Sequence, residues 1–291
     1  MTDTLVILAG GMSSRMKKSS AGEGVSAQKA KEADSKSKGL IGLGEENRPI
    51  MDYLLYNAKQ AGIKNIVILT SPKNNEMFHK LYGEKDVDND FHGLKISFAT
   101  QHIPDDREKP LGTADALFQA IDQREELQEK SFLVCNSDNL YSPEAFKLLI
   151  EDDHPNAWVD YDRSGFDFSQ KRIEAFSVTA TDEDGYLHDI IEKPQKKDVS
   201  KYADEDGIIR VSMNLFKFDG EMIFPFVRDC PMNPDRKEKE LPTAILNMVE
   251  ENKKAMYGIP HREHVPDLTR KNDIAKVIDY IEENYQGLSW E

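Results

Sequence analysis

The stretch T4-L-V-I-L-A-G-G-M-S-S-R-M16 decides how this chain is read. Residues 4–9 are a short apolar run that ends in two glycines, the pattern of a strand buried on both faces. Gly10 and Gly11 let the backbone turn sharply and come close to a ligand, and the amides that follow can form an anion-binding nest. Arg15 adds a planar, permanently charged fork suited to phosphate. Neither the dinucleotide fingerprint G-x-G-x-x-G nor the P-loop pattern G-x-x-x-x-G-K-[ST] is met, so those two phosphate cradles are set aside.

Outward from this strand the first half alternates. A helix is expected over 50–62, with Gly62 as its cap, and strands over NIVILT (65–70) and LKISFAT (94–100). A further helix is expected over 113–122 and a strand over FLVCNSD (132–138). Strands alternating with helices predict a mainly parallel sheet with right-handed crossovers, whose ligands bind beyond the strands' carboxyl ends. Gly10, Gly11 and Asp138 fall there. The second half alternates apolar and polar residues over 173–194, with Asp184-Gly185 as a turn, and again over 210–218. Helices are expected over 240–252 and 271–285. The expectation is one α/β domain over 1–291: a Rossmann-like nucleotide-binding half to about residue 150, then an antiparallel substrate lobe and C-terminal helices. Residues 17–37 are polar, rich in Ser, Ala and Lys, and hold Val25 as their one large apolar residue. They predict a structureless mobile loop, the kind that often covers an active site.

A formal net charge of −15 argues against a nonspecific nucleic-acid partner, which needs a basic face. Any phosphate ligand must therefore meet a local basic site, with a divalent cation as the natural helper. Two cysteines, Cys135 and Cys230, are too few for a disulfide framework and point to a reducing cytoplasm. No signal peptide is read at the N-terminus, and no apolar run approaches the roughly 18–20 residues that span a bilayer, so no membrane role is expected.

L8-A-G-G-M-S-S-R-M16 resembles the signature of the sugar-phosphate nucleotidylyltransferase family, L-A-G-G-x-G-T-R-L, which is followed by a lysine. Further matches come in the family's order. Lys38 lies in K38-G-L-I-G-L-G44, with P49-I-M-D-Y-L-L55 behind it. Gln101 lies upstream of L111-G-T-A-D-A-L117, and F132-L-V-C-N-S-D138 resembles the strand that leads to a metal-binding aspartate. I191-E-K-P194 resembles the sugar-site motif. The matches span residues 4–275 or so, and five in register carry the assignment.

The resemblance implies a nucleotide-diphospho-sugar-transferase fold. It also implies a reaction joining a nucleoside triphosphate to a sugar 1-phosphate with release of pyrophosphate and use of magnesium. Arg15 would hold the β- and γ-phosphates and Lys38 the α-phosphate. Leu8, Ala9, Gly10, Gly11, Gln101, Gly112 and Thr113 would line the nucleotide. Gln101 would read a pyrimidine, favouring UTP or dTTP, and Gly112 would leave room for the base. Glu192, Lys193 and Asn214 would meet the sugar phosphate. Asp138 and Asp267 would hold the metal, Asp267 being preferred to nearby His264 because carboxylate oxygen suits magnesium better than imidazole.

The sequence departs from the family in places. Ser13 stands where glycine is usual, and Ser177 and Asn214 stand where glycine often contacts the sugar. The distance from Arg15 to Lys38 is long, which leaves Lys29, Lys31 and Lys36 as rivals for the lysine role. Two alternatives remain: a non-sugar phosphorylated acceptor, and a catalytically weak regulatory relative that binds nucleotide sugars.

Overall fold

The computed structural model describes residues 2–191, 194, 199–204 and 206–290. Its strands are β1 (Thr4–Leu8), β2 (Gly42–Leu43), β3 (Arg48–Pro49), β4 (Asn65–Thr70), β5 (Asn89–Phe91) and β6 (Leu94–Thr100) in the first part of the chain. β7 (Ser131–Asn136), β8 (Ala157–Asp162), β9 (Val178–Thr181), β10 (Leu187–Ile191), β11 (Arg210–Asp219) and β12 (Tyr257–His261) follow. The helices are α1 (Ser14–Lys18), α2 (Ala27–Ser35), α3 (Ile50–Gln60), α4 (Asn75–Tyr82), α5 (Thr113–Gln123) and α6 (Pro143–Glu151). α7 (Gln170–Ile173), α8 (Gly220–Arg228), α9 (Leu241–Glu251) and α10 (Asp273–Asn284) complete the set.

Ten strands form one sheet in the order β10-β9-β11-β7-β1-β4-β6-β5, with β8 paired to β11 and β12 paired to β8. β1 lies at the centre and runs parallel to β4 and β7. Its alternate residues serve two separate cores. Leu5 and Ile7 pack with α3, α6 and α10, while Val6 packs with α5, α8 and α9. A strand covered by helices on both faces must be apolar throughout, which is why TLVIL carries no alternation. The expected antiparallel half is present as a continuation of this sheet: β11 pairs antiparallel with β7, β8 and β9. The fold is the mixed, mainly parallel α/β sheet of the nucleotide-diphospho-sugar-transferase type.

Three expectations need correction. The strand expected to run to Asp138 ends at Asn136, so Asp138 lies in the turn beyond it. Residues 170–173 form the short helix α7, and the extended chain resumes at Val178 rather than at residue 173. Residues 17–37 are not structureless. Ser26 caps α2 by accepting a hydrogen bond from the amide of Lys29, and Ala33 is fully buried. α2 is held by polar ties: Lys29 Nζ reaches the carbonyl oxygen of Gly42 and Asn47 Oδ1, and Lys36 pairs with Glu32. Lys271 Nζ binds Asp34 Oδ1 at 2.7 Å and the Ser19 carbonyl at 2.9 Å. A helix fixed by one alanine and several ion pairs leaves almost no apolar signature in the sequence.

Candidate active site

The carboxyl ends of β1, β6 and β7 meet at one edge of the sheet. After β1 the Ala9 amide bonds the Leu69 carbonyl oxygen at 2.8 Å, keeping the chain parallel to β4 as it enters the glycines. Gly10 is needed for close approach, because a Cβ there would come 2.4 Å from Gln101 Oε1. Gln101 is 3% exposed. Its amide nitrogen donates to the Gly112 carbonyl oxygen at 3.2 Å, and its Oε1 receives no hydrogen bond from the described residues. Gly112 itself stands at φ +124°, and a Cβ there would lie 2.3 Å from the carbonyl oxygen of Lys239. Glycine is therefore demanded at that position by the neighbouring backbone, whatever lies against its other side.

Ser13 caps the short helix α1 at φ +55°, the left-handed region where glycine is at ease. That helix presents Arg15 to solvent, with no side-chain partner among the described residues.

Lys38 begins a short 3-10 turn and is 9% exposed. Gly39 allows this turn to lie against the end of β7, since a Cβ at Gly39 would sit 3.2 Å from Ser137 Cβ. As a result Lys38 Nζ reaches Asp138 Oδ2 at 2.6 Å. Asp138 and Asp267 are brought together by backbone pairing. The Leu268 amide bonds the Asp138 carbonyl oxygen, and the Leu140 amide bonds that of Pro266, both at 2.9 Å. Asn139 and Asp267 form the bridge between them. Burial, then the nearby Asp138 charge, pushes the Asp267 carboxyl above the usual carboxylate range, while Arg172 and Lys38 pull it down. Arg172 Nη2 donates to Asp267 Oδ2 at 2.6 Å, its other arm pairs with Asp273, and Thr269 Oγ1 also bonds Asp267.

The sequence profile of a family described as "Nucleotidyl transferase" matches residues 5–286 of this sequence. The chain belongs to that family. It is similar to glucose-1-phosphate adenylyltransferase 2 of Vibrio vulnificus (strain YJ016), at 27% identity over 77% of this chain and 51% of the relative. It is also similar to the glucose-1-phosphate adenylyltransferases of Saccharophagus degradans and Rhodopseudomonas palustris (strain BisB18). The first is 25% identical over 98% of this chain and 63% of its own length, the second 23% identical over 85% and 59%. The chain thus spans about half to three fifths of the length of the relatives it matches.

Within this family frame, the donor set at Asp138 and Asp267 can be tested against a metal. No group of three or more His, Cys, Asp or Glu side chains suited to a metal occurs among the described residues. Two adjacent carboxylates do fit magnesium, which is commonly held by one or two carboxylates and completes its shell with phosphate oxygens and water. Two of the three rival lysines are engaged elsewhere. Lys29 is bound at the β2–β3 hairpin, Lys36 pairs with Glu32, and Lys31 is exposed.

The remaining expected residues are dispersed along the same edge. Leu8 ends β1, and Thr113 opens α5, where its hydroxyl accepts from the amide of Leu241 at 2.9 Å. Asn214 stands at φ +60° in the irregular centre of β11, next to the carbonyl oxygen of Met213 that Tyr141 binds at 2.6 Å. Glu192 and Lys193 lie outside the described residues. Arg172 was missed by sequence reasoning: it falls just before the segment 173–194 that reads as alternating strands, and nothing near it in sequence points to Asp267. No helix among the described residues is long and apolar enough to cross a membrane.

Proposed function

We propose that this chain transfers a nucleotidyl group from a nucleoside triphosphate to a sugar 1-phosphate, yielding an NDP-sugar and pyrophosphate. The observation that carries the reading is the contact of Lys38 with Asp138, beside Asp267 and beyond the glycine turn of β1. A phosphate oxygen of the sugar phosphate attacks the α-phosphorus. The bond from that phosphorus to the bridging oxygen breaks, and pyrophosphate leaves with the electron pair. Arg15, exposed and unpaired among the described residues, meets the β- and γ-phosphates. Lys38 neutralises the α-phosphate once released from Asp138. Asp138 and Asp267 hold magnesium, which when bound supplies positive charge to the phosphate oxygens. Glu192, Lys193 and Asn214 are proposed to face the acceptor. Retention of Arg15, Lys38 and Asp138 together supports turnover over a purely regulatory role.

The base is read by Gln101, whose Oε1 is left to accept from a base N–H. The amide complements the donor and acceptor edge of uracil or thymine, which supports UTP or dTTP. A second reading is ATP, favoured by the adenylyltransferase names of the relatives; adenine offers an amide the same pair of groups. Initial rates of pyrophosphate release with UTP, dTTP, ATP and GTP, each over a panel of sugar 1-phosphates, test both. Preference for a pyrimidine triphosphate supports the first reading, and preference for ATP the second. No release with any pair, together with tight NDP-sugar binding, would replace transfer with a regulatory role.

A further inference from the structure

Gln101 directly follows β6, and on the side away from β4 the backbone around it has no neighbouring strand. β6 pairs with β4 on one side, where the Gln101 amide bonds the Thr70 carbonyl oxygen at 2.7 Å. On the other side β5 reaches only Leu94–Ile96. In an extended chain alternate residues turn their N–H and C=O to the same side. Thr100 and His102 therefore present both groups outward, where no strand receives them.

Two glutamines of α5 take the place of that strand. Gln123 Oε1 accepts from the Thr100 amide at 2.9 Å, and Gln123 Nε2 donates to the Thr100 carbonyl oxygen at 2.8 Å. Gln119 does the same for His102, at 2.7 Å and 3.1 Å. The spacing is commensurate. Two residues along a strand advance about 6.6 Å, and four along a helix about 6 Å, so residues four apart on α5 meet residues two apart on the extended chain. The clamps are themselves braced: Gln119 Nε2 also donates to Asp115 Oδ2 at 2.8 Å, and Gln123 Nε2 to the Gln119 carbonyl oxygen at 3.0 Å.

We propose that Gln119 and Gln123 are positioning residues for base selection, holding the backbone on both sides of Gln101 so that its amide keeps one orientation. The proposal rests on the reading of Gln101 as the base-contacting residue. Gly112 caps the start of α5, and its carbonyl oxygen holds the Gln101 amide. One helix and its cap thus hold the backbone of Thr100 and His102 and the side chain of Gln101 between them. Neither Gln119 nor Gln123 is buried, so their removal opens no core cavity.

The test compares wild type, Gln119→Ala/Gln123→Ala, Gln101→Ala and the triple variant. The readouts are kcat and KM for the preferred and a competing triphosphate, with melting temperature as a fold control. The Gln119→Ala/Gln123→Ala variant should keep kcat within about twofold, raise KM for the preferred triphosphate roughly threefold or more, and narrow the preference towards that of Gln101→Ala. In the triple variant the preference should narrow no further than in Gln101→Ala, because a clamp without its reader has nothing to position. Should the paired change melt below assay temperature, the single changes carry the same comparison. Unchanged preference in the clamp variants, with a changed preference in Gln101→Ala, overturns the proposal alone. An unchanged preference in Gln101→Ala overturns the base reading and the proposal with it.

Discussion

Lys38 Nζ lies 2.6 Å from Asp138 Oδ2, across 100 positions of sequence. On the proposed reading the contact places a cation where a divalent metal would bind, so the lysine and the metal would compete for one carboxylate. A bound triphosphate would resolve that competition by offering Lys38 another anion.

Lys38→Ala should therefore separate metal binding from turnover. We expect turnover to fall about 10²–10³-fold, the usual cost of one charge-stabilising donor, while manganese affinity of the nucleotide-free chain, read by electron paramagnetic resonance, stays level or rises. Lys31→Ala should change neither. A larger loss of turnover in Lys31→Ala than in Lys38→Ala would move the phosphate lysine into the insertion.

The insertion gives a second expectation. Lys271 joins Asp34 and the Ser19 carbonyl oxygen to the start of α10. Lys271→Ala removes the tie, and limited proteolysis should then cut within residues 17–37 faster than in wild type. An unchanged cutting rate would show that the salt bridge is not what docks α2.

Ser13 carries a backbone cost at φ +55°. Ser13→Gly should stabilise the chain by about 0.5–1 kcal/mol, because relief of left-handed strain exceeds the added freedom of the unfolded glycine. Urea denaturation measures this directly. A lower stability would mean that the serine hydroxyl or its restricted unfolded state outweighs the strain.

Asp160 sets a pH dependence. It is 2% exposed, accepts from Trp158 Nε1 and Thr179 Oγ1, and burial pushes its carboxyl from 3.8 up to about 6. The folded chain then binds this proton more tightly than the unfolded chain. Its contribution to stability falls as pH rises from about 4 to 6, and the full cost, on the order of 3 kcal/mol, is present above that. Asp160→Asn keeps an oxygen for both donors and removes the charge. The stability of Asp160→Asn relative to wild type should increase across that window and level off above it. A difference independent of pH would show that folding leaves the Asp160 carboxyl unshifted.

Some of this could be read in the sequence and some could not. NIVILT is legible as a strand because burial on both faces demands unbroken apolar residues, and LKISFAT because buried Leu94, Ile96 and Phe98 alternate with exposed Lys95 and half-buried Ser97; they match β4 and β6 residue for residue. β8 is equally buried but escapes notice, since A157-W-V-D-Y-D162 hides Asp160 and Asp162 inside the fold. At the candidate site, the glycine turn, Lys38 and Asp138 are adjacent to recognisable motifs, and the structure brings the last two into contact. Arg172 is not legible, because its contact with Asp267 depends on how a loop returns across 95 positions. The glutamine clamps are hidden for a related reason: their partners are backbone groups, which no residue type announces.

The most direct test of the account is pyrophosphate release by Asp138→Asn beside wild type, at saturating magnesium, triphosphate and sugar 1-phosphate, with melting temperatures recorded for both. A side chain in a turn beyond β7, 20% exposed, should matter to chemistry and little to folding. The account predicts that turnover falls by about 10²-fold or more while the melting temperature moves by no more than a few degrees. Wild-type turnover in Asp138→Asn would contradict it.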